Sequence, residues 1–508
     1  MKSLLPLLLV AIFGVSLTAQ NQDLNPCGTP SYRSEWLKKY QLHPESYASS
    51  RNDIIYIPIA VNIVTEDNGS GGLSSIGLQN ALCVLNEDFA EAAMVFYLGR
   101  DVQTINDSRY AQHSNVAQGY EMMQLYDEPN MINCYFMADA AGNCGYNLPS
   151  AGMCVSNNCA GPFDHTWAHE MGHQLSLPHP FLGWEGGVSH DGSVSHDFND
   201  PAPEKVLYNY TSFKETFYTD TVIIDTAYVE KMDGSNCAFA ADGFCDTKPD
   251  YLASRWACGP DSNSTTEQTD PNGVKFISDG SLIMSYALDN CSARFSEEQI
   301  AASRAFLMDR KGHVLGMEDP QEPVTATALT GESPTDLADV FPEDIEISWD
   351  PVPNATKYLV QLSIFESFQV PVFDAIVSDP SVVVPGLQFP DREHYYRVKA
   401  FNDYNFCVDW LEGIGSFTPD EFVNTTDTDF VPWKVYPTVI SDYKELTIDA
   451  GTSTATMSAS IIDTQGRLVL DQKVAHLSTI DLSGLDTGIY MVKLTDGRHH
   501  VTSKIVIQ

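Results

Sequence analysis

The spacing of apolar positions changes several times along the chain. Leu4 to Val15 is a continuous apolar run behind Lys2, and Ser16-Leu17-Thr18-Ala19 closes it. That layout predicts a secretory signal peptide over 1–19, too short in its apolar part to stay as a membrane span. Residues 20–50 are polar and turn-rich and are read as a propeptide. Ile54 to Val64 (IIYIPIAVNIV) predicts a β-branched strand, Ile76 to Glu91 carries helical apolar spacing, and Ala93 to Leu98 predicts a second strand. Strand and helix patterns then alternate to about residue 315. Ser296 to Leu307 reads as a closing helix, with Ser296 as N-cap, Glu297 and Glu298 in the first turn and Gln299 at the capping-box position. Residues 51–315 are thus one domain mixing helices and strands.

From 316 the chain becomes rich in Pro, Thr, Glu and Asp, a linker over 316–324. Short alternating strands without helices follow: Ile345–Trp349, Lys357–Leu362 and Tyr395–Ala400. That is a β-sandwich pattern. The segments "ISWDPVPNATKYLVQL" and "YYRVKAFN" resemble a fibronectin type III module over 325–420, an unrelated seven-strand sandwich being the alternative. The block 433–508 is a second all-β unit. Its "WKVYPTVISDYKELTI", "IIDTQGRLVL", "TIDLSGLDTGIYMVKL" and final "SKIVIQ" resemble the C-terminal sorting domain of type IX secretion. The resemblance implies passage through an outer-membrane secretion machinery and a final place outside the cell, released or attached to the surface.

Composition adds exclusions. The 508 residues carry 28 basic against 68 acidic side chains, a formal −40. A surface that negative repels nucleic acid and anionic lipid, which excludes nucleic acid as a partner. Its carboxylates could serve calcium, or merely keep the protein soluble. No later stretch reaches 18 apolar residues, so no transmembrane helix is expected. Eleven cysteines behind a signal peptide imply disulfides, and the odd number leaves at least one thiol over. Their connectivity stays open.

The chemistry is concentrated in Ala168-His-Glu-Met-Gly-His-Gln-Leu-Ser-Leu-Pro-His179. On a helix, residues four apart stand nearly one above the other, so His169 and His173 can point two imidazoles at one ion. Glu170 is rotated away by about a quarter turn and can serve as general base without ligating. Pro178 takes the chain out of the helix, and His179 supplies a third imidazole. Three protein ligands with a fourth position left to water is the zinc pattern of a hydrolase.

The HExxHxxGxxH spacing is that of the metzincins, and Ser281-Leu-Ile-Met284-Ser-Tyr286 resembles their Met-turn. Within that clan "LNEDF" (85–89), "CDTKPD" (245–250), "IMSYALDNC" (283–291) and "RFSEEQIAASRAFL" (294–307) resemble the pappalysin family. The implied fold class is multidomain, an α+β metzincin catalytic domain followed by two all-β sandwich domains. The implied function is a secreted zinc metalloendopeptidase acting on protein or peptide substrates, with His169, His173 and His179 on zinc, Glu170 as base, Met284 beneath the metal and Tyr286 near it. Tyr286 is either an oxyanion donor or packing. Asp242, Asp246 and Thr247 resemble the family's calcium-binding loop. Cys27, in a Cys-Gly-Thr context, resembles the cysteine that keeps such zymogens latent by occupying the metal's open position; an ordinary disulfide is the alternative. One departure stands out: Ser176 occupies the position of the family's glycine. The insertion 183–234, with His190 and His196, is long enough to shape or cover the cleft. A surface-displayed binding protein with a vestigial metal site, or a zinc amidase, are the rival readings.

Overall fold

The computed structural model describes residues 24–508 apart from stretches at 30–31, 48–52, 186–194, 213–220, 316–319, 336–337, 341–344, 386–391, 420–432, 442–443, 450–456, 464–466 and 496–499. The signal peptide, the first residues of the linker and His190 fall outside the described residues. The chain is multidomain and sheet-rich, and divides into two units, before and after residue 420.

The first unit opens with β1 (Asn25–Cys27) and α1 (Glu35–Leu42). Next come β2 (Ile55–Thr65), α2 (Ser75–Asp88), β3 (Met94–Leu98), β4 (Gln103–Asn106), α3 (Ser108–Ala111), β5 (Gln112–His113) and α4 (Val116–Leu125). Then follow β6 (Ile132–Met137), β7 (Asp139–Ala140), β8 (Asn143–Leu148) and β9 (Gly152–Ser156). These strands form one mixed sheet in the order β3-β2-β6-β9-β8-β7-β5, with β4 added to β2 and β1 to β8. β2 is buried from Ile57 onward on both faces, which is why its sequence is a β-branched run rather than an alternation. Along β6 successive side chains serve opposite cores: Cys134 and Phe136 join the cluster under α2, while Tyr135 and Met137 join Tyr110, Met122 and Met123 of α3 and α4. Helices therefore cover both faces of the sheet.

α5 (Thr166–Gln174) runs through the first of these cores with every residue buried. Beyond it lie the hairpin β10 (Lys205–Ser212) and β11 (Thr221–Tyr228), the short pair β12 (Gln268–Thr269) and β13 (Lys275–Phe276), and α6 (Glu297–Arg310). α6 has the expected cap: Ser296 and Gln299 satisfy each other's backbone N–H groups in a full capping box. The predicted helix 76–91 stops earlier, at Asp88, because the chain must reverse into β3 through Ala93, held at φ 49°.

The sandwich contributes β14 (Ala338–Val340), β15 (Ile345–Ser348), β16 (Lys357–Ser363), β17 (Pro371–Val377), β18 (Ser381–Val384), β19 (His394–Phe401) and β20 (Gly415–Pro419). The five-stranded sheet β14-β20-β19-β16-β17 packs with the pair β15-β18 around Trp349, Leu362, Tyr396 and Phe417. It is joined closely to the first sheet's domain. Cys83 of α2 is disulfide-bonded to Cys407. Gln79 Nε2 donates to the Phe406 carbonyl at 2.8 Å, Tyr404 stacks on Tyr97 at 4.2 Å, and Lys357 pairs with Asp101 and Asp403. The other bridges are Cys144–Cys159, Cys237–Cys245 and Cys258–Cys291. Cys27, Cys134 and Cys154 remain thiols, so an ordinary disulfide at Cys27 is set aside.

The second unit is all β: β21 (Lys434–Tyr436), β22 (Val439–Ile440), β23 (Glu445–Asp449), β24 (Met457–Asp463), β25 (Leu468–Val474), β26 (Thr479–Asp481), β27 (Gly488–Thr495) and β28 (His500–Ile507). A three-stranded sheet, β21-β23-β26, and a five-stranded one, β22-β28-β27-β24-β25, close on Ile448, Ile461, Val492 and Ile505.

Candidate metal centre

A helix buried on all sides that carries two histidines, a glutamate and a glutamine must find partners for each. At its start, the His165 N–H donates to Asp289 at 2.9 Å and the His165 ring meets Asp88, at the end of α2, at 2.9 Å. The His169 Nδ1–H donates to the Ile283 carbonyl at 2.7 Å, and the His173 Nδ1–H to the Leu177 carbonyl at 2.8 Å. A carbonyl only accepts, so both rings hold their proton on Nδ1 and present a bare Nε2 lone pair. His179 Nε2 lies 3.2 Å from His169 Nε2 and 3.0 Å from His173 Nε2. Burial pushes the His169 pKa down to about 4, and burial together with the neighbouring rings holds His173 and His179 well below the ordinary imidazole value. Three neutral imidazoles thus converge, with the Nε2 atoms of His169 and His173 bare, an arrangement that fits a cation.

A fourth ligand atom joins them. Cys27 Sγ lies 3.5 Å from His173 Nε2, and the thiol and three imidazoles have ligand atoms within 4.8 Å of one another. Burial, then the charge of Glu170, push the Cys27 thiol well above its ordinary pKa, so a thiolate is sustained there only opposite a positive ion. Cys27 arrives on β1, which pairs in parallel with β8, Cys27 opposite Gly145.

Glu170 is buried beside this group. Its Oε2 accepts from the Thr29 hydroxyl at 2.7 Å, and its Oε1 has no hydrogen-bond partner among the described residues. Burial pushes the carboxyl up to about 8. Gly145 of β8 makes room for it: a Cβ there would stand 2.7 Å from Glu170 Cγ. The Tyr286 hydroxyl donates to the Cys27 carbonyl at 3.4 Å, with its ring 4.8 Å from that of His179. Met284 is fully buried beneath α5, its Sδ 2.4 Å from where a Cβ on Gly172 would be. Ser176 sits at φ 72°. The Ser176 N–H bonds the His173 carbonyl and the Leu177 N–H bonds the Gly172 carbonyl, each at 2.9 Å, which is the Schellman ending usually made with glycine. The serine therefore makes the left-handed turn itself, and its hydroxyl lies 2.7 Å from that of Ser34.

The loop expected to take calcium is split. The Asp242 carboxylate accepts from Thr247 Oγ1 at 3.2 Å and from the Phe244 N–H at 3.0 Å. Asp246 instead holds the start of α6, accepting from Ser296 Oγ at 2.7 Å and the Glu298 N–H at 2.8 Å. Glu230 is the residue the sequence reading missed. Burial, then Asp242, drive its carboxyl up to about 10, and one of its oxygens has no hydrogen-bond partner among the described residues. No local motif marks it, because it lies before the Cys237–Cys245 bridge and meets Asp242 only through the fold. His196 packs against Trp184 and Phe198 and is not among the four converging residues.

Residues 434–508 match the family described as the secretion system C-terminal sorting domain. The protein is accordingly secreted or attached to the outer-membrane surface, and its tail addresses it to the secretion machinery. The chain is similar to an extracellular metalloprotease of Colletotrichum graminicola, 27% identical over 209 residues, 36% of this chain and 74% of that one. It is also similar to extracellular metalloprotease 1 of Coccidioides posadasii, 24% identical over 39% of this chain and 78% of that one. A third protein called an extracellular metalloprotease, from Verticillium alfalfae, is 29% identical, and the match spans 60% of its length. Among solved structures, the fibronectin type III domain of human collagen alpha-1(XX) is 25% identical over 21% of this chain and 90% of that domain. Its TM-score of 0.14 is too low to bear on the fold, which rests on the strand order above.

Proposed function

We propose that this protein is a secreted zinc metalloendopeptidase of the metzincin, pappalysin-like type that hydrolyses internal peptide bonds of extracellular proteins. The observation that carries the reading is the convergence of three neutral imidazoles through their Nε2 atoms, two of them oriented by backbone carbonyls. The similarity to extracellular metalloproteases supports the same activity. His169, His173 and His179 would hold zinc, which when bound supplies Lewis acidity and lowers the pKa of water. Glu170, in its dry site, takes the proton of the attacking water and returns it to the leaving amine. The Tyr286 hydroxyl, freed from the Cys27 carbonyl, donates to the substrate carbonyl oxygen as charge develops there. Met284 packs beneath the helix and fixes its height.

The segment bearing Cys27 keeps the enzyme latent: its thiol takes the fourth ligand position. Asp242 and Thr247, hydrogen-bonded to each other in the acidic loop, would be the calcium-binding pair, with the Arg33 guanidinium supplying positive charge beside Asp242 while the segment is in place.

The test uses the full secreted chain, with and without removal of the residues before β2, on a mixed-sequence peptide library. Cleavage after removal, lost both with a chelator and in Glu170→Ala while that variant retains one zinc, is the expected result. One bound zinc with no cleavage would reject the peptidase in favour of a binding protein. Cys27→Ser is expected to give activity without removal, and unchanged latency in it would reject the switch.

A further inference from the structure

Cys27 accounts for only one of the contacts between β1 and the centre. Two residues further on, just beyond the end of β1, Thr29 also reaches the centre. The Thr29 hydroxyl stands 2.7 Å from Glu170 Oε2 and 2.7 Å from the Asn147 backbone nitrogen of β8. The direction of both bonds follows from chemistry. The Asn147 N–H can only donate, and the Thr29 hydroxyl that accepts from it donates in turn to Glu170 Oε2. The Thr29 N–H in turn points at Cys27 Sγ at 3.2 Å. The residue between them is closely packed: a Cβ on Gly28 would lie 2.8 to 2.9 Å from the Asn143 side chain, which would have to move. Gly145 on the facing strand is under the same restriction, here from Glu170.

We propose that Thr29 is the second half of the latency lock, acting on the general base as Cys27 acts on the metal position. Its hydroxyl ties the Glu170 side chain down through a hydrogen bond to Oε2 and at the same time occupies a backbone donor on the edge of β8. Cys27, Gly28 and Thr29 thus form one device: ligand, close approach, base clamp. Loss of the segment frees the metal position, the base and the strand edge together. This proposal rests on the reading of residues 20–50 as an inhibitory segment.

The test reads how tightly the segment is held, without requiring catalysis. Arg33 is the first basic residue after β1, so added trypsin reports opening of the segment as a new N-terminus at Ser34, followed by mass spectrometry. It is run on the full chain as Thr29, Thr29→Val and Thr29→Ser, each with Glu170 intact and as Glu170→Ala. The cost of leaving a buried acceptor without its donor sets the expectation that Thr29→Val opens roughly tenfold faster while Thr29→Ser stays near the parent. In the Glu170→Ala background, with the acceptor gone, Thr29→Val is expected to add little. An equal acceleration in both backgrounds would overturn the clamp, since Thr29 would then act only through Asn147; no acceleration in either would overturn it as well. Peptidase activity is measured separately after complete removal of the segment. Its absence there would count against the peptidase reading and leave the coupling between Thr29 and Glu170 as measured.

Discussion

Replacing Ser176 by glycine acts on a residue that ends α5 at φ 72° and also touches the segment before β2 through Ser34. A left-handed conformation costs a non-glycine residue about 1–2 kcal/mol. Glycine removes that strain but gives back roughly 0.5–1 kcal/mol as greater freedom of the unfolded chain. In the protein without the segment the balance is a stabilisation of about 0.5–1 kcal/mol, or about 1–4 °C in Tm for a domain of this size. In the full chain the same substitution also deletes the contact with Ser34, worth about 0.5–1.5 kcal/mol, so the gain should vanish or reverse. The assay is differential scanning calorimetry of both forms, zinc-loaded, at one protein concentration. Equal Tm shifts in the two forms would refute the link between Ser176 and the segment. A lower Tm without the segment would refute the strain argument itself.

Other outcomes follow from the same geometry. Gly145→Ala should displace Glu170 and lower kcat on the order of 10²-fold with zinc content unchanged, measured by steady-state kinetics beside metal analysis; full turnover would show that the close approach does not matter. Gly172→Ala drives a methyl into Met284 Sδ within a packed core and should cost about 1–3 kcal/mol, read from denaturant midpoints. Chelation should lower Tm, because three converging imidazoles lose the ion that reconciles them, and a Tm indifferent to chelator would count against a resident metal. Removing the Cys83–Cys407 bridge by double alanine substitution should cost about 2–4 kcal/mol in the first unit's unfolding free energy, and no loss would show that the interface holds unaided.

What the sequence reveals and what it hides divide along physical lines. The capping box of α6 and the i, i+4 pair on α5 are contained within a few residues, and both occur as expected. Ser176 could be singled out because a positive φ is a local demand, and the chain meets it with a serine. Thr29 and Glu170 are 141 residues apart and meet because β1 chooses the edge of β8, which no periodicity encodes. Glu230 escaped for the same reason, and Asp246, inside the acidic loop, was drawn away by a helix that begins 51 residues later. The segment 20–50 reads from its sequence as a polar, turn-rich propeptide, yet Trp36, Leu37 and Tyr40 sit in the same core as α5 and α6, and Trp36 donates to Asp309 at 2.7 Å. Its removal therefore uncovers apolar surface on the enzyme as well as opening the centre.

The bridge from Cys83 to Cys407 spans a sequence separation of 324 and encloses both α5 and the linker. The linker over 316–324 is rich in Pro, Glu and Asp, a composition typical of segments that proteinases nick. A cut between 316 and 324 would leave the two halves as one molecule, migrating together until a reductant is added. Scission there changes the covalent topology without releasing the sandwich, and in an oxidising surrounding the nicked and intact forms would carry the same two domains to the same substrate.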